Sequence, residues 1–93
     1  MKLEFSRFFA EGYRALDIRD VGAVDSMLDR LEAEHDRPHM RNVIAVASTK
    51  LYATPRFDTP SGNRRITWQY SVDDPTSVIY CVTVAIADAT KQP

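Results

Sequence analysis

The chain has a single cysteine, Cys81, and only three glycines in 93 residues. A lone thiol excludes an intramolecular disulfide and any metal site built from several cysteines, and it suits a reducing compartment. Cys81 lies in the run Val78-Ile79-Tyr80-Cys81-Val82-Thr83-Val84, where a small buried thiol is expected rather than a reactive one. Ser61-Gly62-Asn63-Arg64 lacks the repeated glycines and the following helix of a phosphate cradle. No run approaches the roughly 20 apolar residues of a membrane span. The opening Met1-Lys2-Leu3-Glu4-Phe5-Ser6-Arg7 interleaves charge with apolar residues, unlike a signal peptide, so a cytoplasmic protein is expected. His35 and His39 are the only histidines, and neither stands at ligand spacing from a carboxylate or thiol; no metal and no cofactor is expected.

What is present is one domain's worth of ordinary globular sequence, 44% apolar and 27% charged, enough for a single core spanning residues 1–93. The net charge of −1 conceals a sorting along the chain. Residues 1–36 hold five Lys/Arg against nine Asp/Glu, net −4, whereas residues 37–65 hold Arg37, Arg41, Lys50, Arg56, Arg64 and Arg65 against Asp58 alone, net +5. A local field of that sign favours an anionic partner, although a broad cationic footprint for general nucleic-acid binding is lacking.

Periodicity gives the element order. Lys2 to Phe5 alternate as a short strand, and Ser6 can cap a helix to about Leu16 whose stripe is Phe5, Phe9, Tyr13 and Leu16. Asp17 to Asp20 read as a connection, with Asp20 capping a second helix that buries Val24, Met27, Leu28 and Leu31 and stops near His35, before Pro38. From Asn42 the period is two. Val43 to Ala47 fit a short strand or a turn of helix. Leu51 to Phe57 fit a strand, with Pro55 implying an edge or bulge near its end. The turn formers from Asp58 to Asn63 precede an alternating strand with Ile66, Trp68, Tyr70 and Val72 on its buried face. After a turn at Asp73 to Ser77, the run Val78 to Ile86 reads as a central strand covered on both sides. The expected class is α+β, in the order β-α-α-β-β-β, with one antiparallel sheet and an N-terminal helical hairpin on one face.

Three stretches carry a resemblance: Arg37-Pro38-His39-Met40-Arg41, then Lys50-Leu51-Tyr52 leading to Arg56-Phe57, then Arg64-Arg65-Ile66-Thr67-Trp68-Gln69-Tyr70. With the element order, they resemble the RelE/ParE toxin superfamily, small ribosome-dependent mRNA cleavers or gyrase poisons. The resemblance implies a RelE/ParE-like fold, an antitoxin partner, and mRNA on the ribosome as target. Two features depart from the family pattern. Ala87, Asp88 and Ala89 stand where the HigB-like branch carries lysines, and Pro55 is one residue extra in the strand leading to Arg56, which can reverse a side chain's direction.

Cleavage of this type is metal-independent. The ribose 2′-hydroxyl attacks its own phosphate, a base takes the proton, cations stabilise charge on phosphate oxygens, and an acid protonates the leaving oxygen. Arginine suits the cationic role because its planar fork meets phosphate with two bonds and stays charged. The match assigns Arg65 and Arg56 as catalytic candidates, with Lys50, Arg64, Arg41, Tyr52 and Lys91 as substrate-binding candidates. His35 is read as a partner of a helix dipole and His39 as a surface-turn residue; Trp68 and Tyr70 are read as core. The alternative is a non-catalytic RelE/ParE-like module that binds a protein, as a gyrase poison or a phage accessory protein does.

Overall fold

The computed structural model describes residues 1–86. Along them run β1 (Lys2–Phe5), α1 (Arg7–Arg14), α2 (Ile18–Glu34), a 3-10 turn at Pro38–Met40, β2 (Asn42–Val46), β3 (Lys50–Ala53), β4 (Phe57–Thr59), β5 (Gly62–Tyr70) and β6 (Val78–Ile86). The strands form one sheet in the order β1-β6-β5-β3-β2, with β4 also paired to β5. Both helices lie on one face, so the α+β class and the helical layer agree with the sequence reading. The pairing β1–β6 is parallel, and the sheet is therefore mixed rather than wholly antiparallel. The helices carry the chain from β1 at one edge to β2 at the other. The meander β2-β3-β5-β6 then returns antiparallel until β6 lies beside β1.

Ser6 caps α1 as expected: its Oγ accepts from the Phe9 amide at 2.9 Å and donates to the Val82 carbonyl at 2.5 Å, tying the helix start to β6. Asp20 does not cap α2. The helix begins one turn earlier, where Asp17 accepts from the Arg19 amide at 2.9 Å, and Asp20 sits buried inside the first turn. Gly12 lets α1 lie close on the sheet, because a Cβ there would stand 3.3 Å from both Cγ1 and the carbonyl oxygen of Val84.

Strand parity sets the core. Ile66 and Trp68 of β5 face the helices beside Ile79, Cys81 and Val84 of β6, and against them pack Phe9, Val24, Met27, Leu28, Leu31 and Met40. Full burial of Ile66, Ile79 or Leu31 stabilises the fold by roughly 1.5–3 kcal/mol each. The Trp68 indole N–H donates to the Met40 carbonyl at 3.0 Å, which removes the cost of burying it. Cys81 is buried, and burial pushes its thiol up to about 12, the inert behaviour expected of it. β6 is central but not covered on both sides: Tyr80, Val82 and Thr83 are half-buried on or toward the face opposite the helices.

Candidate functional site

Parity along β5 separates two neighbouring arginines. Arg64 falls on the core face with Ile66 and Trp68; Arg65 falls on the opposite face with Thr67 and Gln69. Arg65 is half-exposed, stands across from Ala85 of β6, and has no acidic partner among the described residues. One step along that face, Thr67 and Thr83 share a 2.6 Å hydroxyl hydrogen bond.

Arg56 comes to the same place from the other side. Between the pairs Ala53↔Thr67 and Phe57↔Arg64, one side holds residues 54–56 and the other 65–66, one residue more on the Pro55 side. The extra residue is a bulge, as Pro55 suggested. Thr54 closes its inner side: its amide donates to the Ile66 carbonyl at 2.9 Å and its hydroxyl accepts from the Ile66 amide at 3.0 Å. Phe57 packs against the core while Arg56 beside it is exposed. The bulge thus brings the backbones of Arg56 and Arg65 together across the β4–β5 junction.

Arg64 is turned inward. Its Nη2 donates to Asp20 Oδ2 at 3.2 Å, and Asp20 Oδ1 accepts from the Ser61 amide at 3.3 Å. Burial alone would raise the Asp20 carboxyl; the bonds from Ser61 and Arg64 outweigh it and hold the carboxyl below its usual range. Arg64 therefore pins the turn before β5 to the first turn of α2, and this correction follows from its even position in the strand.

Arg41, Lys50 and Tyr52 gather at the far end of β5. They meet around Tyr70, half-buried rather than fully in the core. The Tyr70 hydroxyl lies 3.0 Å from His35 Nδ1 and accepts from Arg41 Nη2 at 2.5 Å, while Arg41 Nε donates to the His35 carbonyl at 3.0 Å. Arg41 Cζ also stands 5.3 Å from the Tyr70 ring centre. His35 is the C-cap of α2, as its position suggested, but its ring is committed to Tyr70. His39 is exposed in the 3-10 turn, beside Glu34 at 3.1 Å. Lys50, Tyr52 and Tyr70 line a cavity of about 230 Å³. This end lies five residues from Arg65, roughly 16 Å along the strand, and on the other face. Lys91 and the tail from Asp88 lie outside the described residues.

The seven residues chosen from the sequence thus divide into an Arg56/Arg65 pair at one end, an Arg41/Lys50/Tyr52 group at the other, Arg64 inside, and Lys91. His35 and Tyr70 join the second group; they are 35 residues apart, so no local spacing signals their meeting.

No protein family and no curated protein matches the chain in sequence. Among solved structures it is similar to one described as the crystal structure of the intact E. coli RelBE toxin-antitoxin complex, with a TM-score of 0.58 and 15% identity over 92% of this chain and 95% of that one. That likeness shows a RelE-like fold.

Proposed function

We propose that the chain is the toxin of a toxin-antitoxin pair and cleaves mRNA on the ribosome without a metal, with Arg65 and Arg56 holding the scissile phosphate. The observation that carries this reading is that the bulge brings the backbones of those two arginines together, on a scaffold like that of RelE. As the 2′-oxygen bonds to phosphorus and the 5′-oxygen departs, negative charge gathers on the non-bridging oxygens. Arginine side chains rooted at this junction supply the positive charge that stabilises it. Arg65 stands on a rigid strand, flanked by Ala85, which leaves room for a backbone to approach. A protein antitoxin silences the activity.

Induced expression in a bacterial host tests the reading. The native chain is expected to arrest growth with cut mRNA, and Arg65→Ala and Arg56→Ala are expected to relieve both. The absence of arrest by the native chain would remove the toxin reading. Arrest without cut RNA would favour the second reading, a non-catalytic protein-binding module. Its support is β2, an edge strand whose Val43, Ile44 and Val46 are 50%, 41% and 69% exposed, a surface suited to a protein partner.

A further inference from the structure

The cavity of about 230 Å³ at the far end of β5 has room for one planar ring with a short substituent. Its walls are two aromatic rings. Tyr52 and Tyr70 meet edge to face, with centroids 6.1 Å apart and planes at 79°. Neither ring is loose. Tyr52 is backed by the fully buried Trp68 at 4.8 Å, and the Tyr70 hydroxyl is held by His35 and Arg41. The entropy of ordering the walls is thus spent in folding rather than in binding. Lys50 brings a positive charge to the lining, beside the hydroxyl residues Thr49 and Ser71, and no carboxylate lines the cavity among the described residues. Fixed aromatic walls with a cation at the rim match a π-face that carries a nearby anion, the chemistry of a base and its phosphate.

We propose that this cavity binds one unstacked nucleobase, its ring packed on Tyr52 and Tyr70 and its phosphate on Lys50. The site is separate from Arg65, on the other face of the sheet. Only the choice of an RNA strand as the source of the base rests on the function proposed above; a free nucleotide offers the same chemistry.

Amide chemical shifts of the ¹⁵N-labelled full chain, titrated with adenosine 5′-monophosphate and separately with hexa-adenylate RNA, decide the matter. The amides of Thr49, Lys50, Tyr52, Tyr70 and Ser71 are expected to move. Movement with the hexamer alone assigns the base to a strand, and movement with the mononucleotide assigns it to a free nucleotide. Lys50→Ala and Tyr52→Leu are each expected to weaken binding at least about fivefold, while Tyr52→Phe, which keeps the ring, binds as the native chain does. The proposal is overturned if neither ligand moves these amides at millimolar concentration, or if Lys50→Ala and Tyr52→Leu both bind normally. RNA cleavage that survives with a silent cavity would sink this inference alone. A cavity that binds in a chain that cuts no RNA would sink the nuclease reading alone.

Discussion

Asp20 and Arg64 illustrate how one residue's parity decides its role. The Asp20 side chain is 0% exposed and that of Arg64 11%, so each owes its tolerable burial to the other. The Arg64 Nε is buried without a hydrogen-bond partner, which adds to the cost. Asp20→Leu or Arg64→Met alone strands a charge and is expected to lower Tm by several degrees, whereas the double variant recovers most of the loss; thermal unfolding of the three proteins measures this, and strictly additive losses would refute it. The pH dependence has a definite sign. Asp17, bonded chiefly by the Arg19 side chain and then by its amide, is lowered to about 2, and Asp20 is also lowered. A carboxyl lowered in the folded state contributes stability that is complete above its unfolded value of about 4 and is lost as pH falls through the folded value. Tm should therefore decline from about pH 4 toward pH 2, and less steeply in Asp17→Asn/Asp20→Asn. An equally steep acid limb in that variant would contradict the assignment. The basic residues of 37–65 were legible as candidates, but Arg64 and Arg65 are adjacent, and only the strand's facing tells which is buried.

At the scale of elements, most boundaries follow local chemistry. The Ser6 cap, the Pro55 bulge and the alternation of Ile66, Trp68 and Tyr70 were all legible because each depends on neighbours within a few residues; Val72, read as the next buried position, lies beyond the end of β5 and is 69% exposed. Ser6→Ala removes both the acceptor for Phe9 and the donor to Val82, and should cost about 1–2 kcal/mol in urea unfolding. Gly62 turns β4 into β5 with a φ of +130°, a conformation essentially reserved for glycine; Gly62→Ala should cost about 1–3 kcal/mol in the same assay. Where two signals competed, the sequence was less clear. Asp17 and Asp20 are both good caps, and the earlier one won because Asp20 has a buried partner 44 residues away. The strand Asn42–Val46 is apolar from Val43 onward yet exposed throughout, so its pattern marks no buried face and fits a strand or a helical turn equally well.

At the scale of the molecule, the fold redistributes the charge that the sequence sorts. The basic stretch does not become a single patch: Arg65 and Arg56 stand at one end of β5, Arg41 and Lys50 at the other, and Arg64 inside. The helical hairpin and the run of strands were legible as an order of elements, and the RelE-like likeness over 92% of the chain agrees with it; five strands rather than three follow the helices, because Asn42–Val46 pairs as a strand and the stretch from Leu51 to Phe57 divides at the bulge. The parallel closure of β6 on β1 was not, because pairing across about 76 residues leaves no local trace. The central claim is that the bulge-born arginine pair works on RNA. Its most direct measurement is cleavage of a defined mRNA on purified ribosomes programmed with it, comparing the native chain with Arg65→Ala. Ribosome-dependent cuts are expected that fall at least about a hundredfold in the variant and persist in excess chelator; cuts of equal rate in both proteins, or none from the native chain, would refute the RNA-cleaving role.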